Sequence, residues 1–194
     1  MKYILVLLLS ATMLFSADIY TVPFKNKVRD DAYVLLRGDI GLKETTGHND
    51  GPHIKKYMDT CRLNYRMQYP YCAAYITWGM FTASSQNKIK TDFPRTALAY
   101  DFYKYGKAKG VKTKSIEYRK RDILVWNKRE TTTGHTEMID SVCRGGNVFV
   151  LSANTSNGKS GNEREGNGNY IRKRNLNYDL NRMLLKSVLR LEEK

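Results

Sequence analysis

The segment CAAYITWGMF, Cys72 to Phe81, is apolar nearly all round and carries no charge. A helix with that pattern has no face to give to water, so it has to lie inside a core with other elements packed on several sides. Tyr69-Pro70 ahead of it marks a boundary, because proline disfavours helical backbone in the residue before it. Cys72 therefore falls at the N-terminus of a buried helix. The unpaired N–H groups and the dipole at that end stabilise a thiolate, and one of the N–H groups is available to a developing oxyanion. Neither Cys61 nor Cys143 has an equivalent position.

What covers this helix is legible from periodicity. Lys27 to Leu42 sets Val28, Ala32, Leu35, Leu36 and Ile40 at mostly helical spacing, and a helical pattern resumes from His53 to Leu63 and again from Arg95 to Lys109, closed by Gly110. Between the first two lies the polar turn ETTGHNDGP. Downstream, Ile123 to Trp126, Thr136 to Val142, Val148 to Ala153 and Tyr170 to Arg174 read as strands, with turns at Arg144-Gly145-Gly146 and in the loop NGKSGNEREGNGN. Helices first and strands after predict an α+β fold, with N-terminal helices packed on a small antiparallel sheet. At 194 residues and 41% hydrophobic content the chain suits one core, expected over residues 18–194.

Met1-Lys2 followed by the uncharged run Tyr3 to Ala17 has the pattern of a signal peptide over residues 1–17, cleaved near Ala17. The run falls short of the roughly 20 residues of a membrane-crossing helix, so no permanent span is expected. Ala17 suits a cleavage site and Phe15 does not, which leaves uncleaved retention as the alternative. Export, to a periplasm or the exterior, would place three cysteines in an oxidising compartment. An odd count leaves one thiol unpaired; Cys61 with Cys143 is the simplest pairing, and three reduced thiols or three small buried hydrophobes are the others.

Lys and Arg outnumber Asp and Glu by 33 to 19, a net charge of +14 spread along the chain, so the expected partner is an anion. Nucleic acid, an acidic membrane surface and an anionic wall polymer all meet that condition. No stacking motif interleaves aromatic and basic residues, so no specific nucleic acid is expected. The basic segments RKRNL and Lys186 to Lys194 suit adhesion.

A nucleophilic cysteine needs a base. Of His48, His53 and His135, the last opens a predicted strand and can project from a rigid sheet edge, although solvent contact at a strand end accounts for it equally well. His48 and His53 flank the polar turn and read as surface residues. The next strand, VFVLSANT, delivers Asn154 as the third polar group to orient the imidazole; a plain turn-forming Asn is the other reading. In Gly47-His48-Asn49-Asp50-Gly51 one carboxylate and no alternation of oxygen ligands argue for a structural turn lining a cleft with Glu44, and no metal site is expected.

The words around these residues resemble the CHAP-type (cysteine, histidine-dependent amidohydrolase/peptidase) family, related to the NlpC/P60 domains and found in phage endolysins. PYCAAYITW resembles the nucleophile segment, RDILVWN with GHTEMID the strands leading to and bearing the His, and SANTSNG with EGNGNYIRKRNL the later strands and their glycine loop. GLKETTGHNDGPHIKKY resembles the turn that precedes the Cys. The resemblance covers Val28 to Leu176. Three positions depart from the pattern: Ser152 stands where many members carry Glu two residues before the Asn, Arg121 replaces a Gly, and Glu137 stands where a small residue is common.

The resemblance implies a papain-like fold and hydrolysis of a peptidoglycan amide, between muramic acid and L-Ala or within the stem peptide or cross-bridge, with Cys72, His135 and Asn154 as catalytic residues. Glu44, Asn49, Trp78 and Ser152 are then expected to bind substrate. No cofactor is implied. The expected partners are peptidoglycan and anionic envelope polymers, met by a monomer. Two other functions fit the same residues: a secreted protease, and a basic envelope- or virion-associated binding protein without turnover.

Overall fold

Described here is a computed structural model covering residues 17–113, 117–158 and 166–193, so the expected leader lies outside the described residues except for Ala17, as does much of the glycine-rich loop. The buried helix, α3 (Cys72–Gln86), has ten fully buried residues distributed around its circumference, as its apolar pattern requires. Against it pack α1 (Asn26–Gly38) and α2 (Pro52–Thr60). The close approach of α1 depends on Gly79, where a Cβ would come within 2.8 Å of Leu36 Cγ. The Tyr75 hydroxyl then donates to the Leu36 carbonyl, satisfying a buried polar group across the contact.

Seven strands form one sheet among the described residues: β1 (Asp18–Pro23), β2 (Val111–Thr113), β3 (Ile123–Asn127), β4 (Gly134–Val142), β5 (Asn147–Thr155), β6 (Gly168–Asn175) and β7 (Leu184–Glu192), in the order β2-β1-β7-β3-β4-β5-β6. A fourth helix, α4 (Ala99–Lys109), joins the others in the larger core. On the opposite face Leu124, Trp126, Ile139, Val148, Val150 and Val188 form a second, smaller core with no helical member.

The mixed α and β composition agrees with expectation, and the arrangement corrects it in three respects. A strand, β1, precedes the helices and pairs with β7 in parallel, so the sheet is neither small nor wholly antiparallel. Second, Lys186 to Lys194 is not an adhesive tail: β7 occupies the middle of the sheet, with Ser187 to Leu191 buried. Third, Cys61 and Cys143 are not paired. All three cysteines are free thiols, Cys61 buried with its Sγ 3.2 Å from the Thr96 carbonyl and Cys143 exposed.

Arg121 adopts a left-handed φ of 74°, which accounts for a glycine at this turn in resembling chains. Among the described residues no helix is long and apolar enough to cross a membrane.

Candidate active site

Cys72 is the first residue of α3 and is only 4% exposed. What fixes the start of the helix is Tyr71, whose buried hydroxyl donates to Glu44 Oε1 at 3.1 Å. Glu44 also receives the Asn49 N–H at 2.9 Å. Glu44 is thus committed to bracing the helix start against the turn at residues 44–51. Burial raises its pKa in spite of these two donors. Its expected contact with substrate is replaced by a structural one.

The histidine arrives from the sheet. Gly134 opens β4 where a Cβ would lie 2.3 Å from the Trp126 carbonyl oxygen, so only glycine permits this approach to β3. His135 follows, paired across the strands with Trp126. Pairing of β4 with β5 begins only at Glu137 opposite Ser152, so the end of β4 that carries His135 and Thr136 has no β5 neighbour. The Cys72 thiol faces this end of the strand, with the His135 ring and the backbone N–H groups of Thr136 and Ala73 as the neighbours that favour its charged form. Burial opposes a thiolate here. The imidazole beside it and the two backbone donors outweigh burial, and the thiol pKa is lowered. At His135 burial likewise disfavours charge, but Cys72 and then Glu137 raise its pKa. Both shifts favour a thiolate beside an imidazolium, the reactive form of a cysteine nucleophile.

The ring nitrogen Nε2 does not meet Asn154. His135 Nε2 lies 3.1 Å from Ser152 Oγ and 3.3 Å from Glu137 Oε1. Asn154 sits at a bulge in β5 with φ of 55°, and this left-handed residue breaks the alternation that would have kept it on the same face as Ser152. Its Oδ1 is buried without a partner. The assignment of Asn154 as imidazole support is corrected accordingly, and the plain turn-forming reading of this Asn describes its backbone. Ser152, expected at substrate, is fully buried behind the ring.

Sequence reasoning missed Glu137 in this role. The signal was present, because residues two apart on a strand share a face and GHTEM places Glu137 on the face of His135. Glu137 is fully buried, held by Arg174 through Nη2 at 2.7 Å and Nε at 3.0 Å to Oε1, and by the Trp126 indole N–H at 3.2 Å to Oε2.

A cleft of about 350 Å³ adjoins the helix start, lined by Gly47, His48, Asn49, Gln68, Pro70, Asn154 and Gly166. Asn49 lines this cleft, its amide donating to the Gln68 carbonyl at 2.9 Å. Trp78 is not at the cleft: its ring packs on Tyr57 under the Lys56 ammonium, 3.9 Å from the ring centroid. His53 is buried beside Tyr57 instead of exposed, and His48 is exposed at the cleft. Asp50 turns back to accept from the Thr46 N–H and hydroxyl, both at 2.9 Å, so this turn is closed by its own side chain. Among the described residues no group of three or more His, Cys, Asp or Glu gathers to hold a metal.

A helix buried against a sheet, with a thiol at its first turn facing an imidazole from the sheet, is the arrangement of the papain-like fold. Residues 64–154 match the model of the CHAP domain family, in agreement with the resemblance in sequence. The match spans a shorter stretch than the resemblance and includes Cys72, His135, Glu137 and Ser152. It supports hydrolase activity of the amidase or peptidase kind. Comparisons with curated proteins and with solved structures give no match.

Proposed function

We propose that this protein is an exported cysteine amidase or endopeptidase that cleaves an amide of bacterial peptidoglycan, with Cys72 as nucleophile and His135 as general acid and base. The observation that carries the reading is the Cys72–His135 pair, buried at the start of α3, two residues beyond Pro70, which lines a cleft of about 350 Å³. The thiolate attacks the carbonyl carbon, forming a C–S bond and an oxyanion that the Cys72 backbone N–H at the unpaired first turn can receive. His135 gives its proton to the departing amine as the C–N bond breaks. Water then attacks the thioacyl carbon, His135 takes a proton from it, and the C–S bond breaks to restore the thiolate. The net charge of +14 favours an anionic envelope polymer as the surface on which the domain works. The leader pattern in residues 1–17 supports export.

Mass spectrometry of purified peptidoglycan treated with the wild type and with Cys72→Ala tests this reading. New termini are expected from the wild type alone, and their identity distinguishes a muramoyl–L-Ala cut from one in the stem peptide or cross-bridge. Undigested walls of several chemotypes would overturn the assignment of peptidoglycan as substrate. Sequencing the N-terminus of the protein recovered outside the cytoplasm tests export.

A further inference from the structure

We propose that Glu137 is the positioning residue of the site: its carboxylate, fixed by Arg174 and Trp126, orients the His135 imidazole and holds it protonated beside Cys72. The proposal rests on the Cys72–His135 reading given above and adds the group that makes the pair persist.

His135 Nε2 has two oxygens near it, Ser152 Oγ at 3.1 Å and Glu137 Oε1 at 3.3 Å. They differ in kind. A hydroxyl is neutral and rotates to suit its neighbours, whereas an ionised carboxylate only accepts and attracts the imidazolium charge. Glu137 also has no freedom to leave: both its oxygens take the Arg174 Nε–H, Arg174 Nη2–H reaches Oε1, and the Trp126 indole reaches Oε2. Arg174, and then His135 itself, favour the ionised carboxyl in spite of complete burial, and its pKa is lowered. The charged groups facing His135 are therefore Cys72 from α3 and Glu137 from its own strand, with Arg174 of β6 behind the carboxylate. With both ring nitrogens protonated, the imidazolium has one N–H for the thiolate and another for the carboxylate.

Glu137 and Ser152 are direct partners across β4 and β5. A carboxylate carried by position 152 would thus address the same ring nitrogen from the neighbouring strand, which makes the role transferable. The test is the rate of Cys72 alkylation by iodoacetamide from pH 4 to 11, a readout independent of any wall substrate, with folding followed by circular dichroism.

For the wild type a plateau is expected, falling at low pH as the thiolate is protonated and changing at high pH as His135 loses its proton. In Glu137→Gln the alkaline change should move down by at least about one pH unit, and kcat/KM on any cleaved amide should fall about a hundredfold. Glu137→Ser combined with Ser152→Glu should return both towards the wild type, and Ser152→Ala should leave the alkaline limb where it is. Because Glu137→Gln leaves Arg174 without its counter-charge, Glu137→Gln with Arg174→Gln serves if the single variant does not fold, with the same shift expected. An unmoved alkaline limb in a folded Glu137 variant, or an equal shift in Ser152→Ala, overturns the proposal. A wild type lacking the plateau removes the ion pair and this proposal with it. A normal plateau in a protein that cuts no peptidoglycan counts against the substrate alone.

Discussion

Two buried carboxylate–guanidinium pairs are built into the same sheet, and they differ in what stands beside them. Asp122, at the entry to β3, receives Arg190 of β7 through Nε at 3.0 Å and Nη2 at 2.7 Å, and its further donor is the Arg119 backbone N–H. Glu137 receives Arg174 of β6 with similar geometry and in addition faces an imidazole. Burial disfavours ionisation at both. At Asp122 burial prevails and the carboxyl pKa is raised even with Arg190 in contact, whereas at Glu137 Arg174 and His135 together reverse the sign. A buried ion pair by itself joins strands at some net cost in desolvation. The third, titratable neighbour turns the same device into support for chemistry.

The largest expected effect comes from deleting that neighbour. His135→Ala leaves Glu137–Arg174 as a pair of the Asp122 kind, and kcat/KM on a cleaved amide should fall by about 10³-fold or more. Thermal unfolding should show that the fold persists. Breaking the other pair should do the reverse. Asp122→Asn strands the Arg190 charge in the interior and should lower unfolding free energy by about 3 kcal/mol in urea titrations, while Cys72 alkylation in the folded fraction keeps its rate.

The two carboxylates should also answer to pH with opposite sign. The folded pKa of Glu137 lies below its ordinary value of 4.5, so its stabilisation is complete above that value and is lost as pH falls towards the depressed one. That of Asp122 lies above its ordinary 3.8, so its ionised form costs stability at neutral pH, and the cost is relieved as pH falls through the raised value. The advantage of the wild type over Glu137→Gln should therefore shrink between pH 5 and 3, and its advantage over Asp122→Asn should grow. Urea midpoints of the three proteins across that range measure both. Smallest is Ser152→Ala, which removes one hydrogen bond of about 1 kcal/mol and should slow turnover less than tenfold.

Helices were the most legible part of the fold. The apolar circumference of α3 and the spacing of Val28, Ala32 and Leu36 in α1 state burial directly, because helical contacts are local in sequence. Strands β3 to β6 were legible from their β-branched and aromatic runs. The terminal strands were not. β1 continues from an apolar leader and carries Pro23, and β7 carries Lys186 and Arg190 in what reads as a basic tail. An arginine only 5% exposed at the middle of a sheet makes sense only once Asp122, far away in sequence, is seen against it.

The candidate site divides along the same line. Cys72 and His135 were chosen from local cues, a helix start and a strand start, and the fold brings them together. The support behind the ring depended on a bulge: the left-handed backbone at Asn154 carries that side chain to the cleft and leaves Ser152 and Glu137 at the imidazole. By itself, then, the sequence determined the helices, strands β3 to β6 and the thiol at the head of the buried helix, since each follows from the order of residues within a few turns of chain. Only the tertiary structure decided which carboxylate stands behind His135, because that depends on strand register and on an arginine from β6, and pairing between distant segments leaves no mark in local pattern.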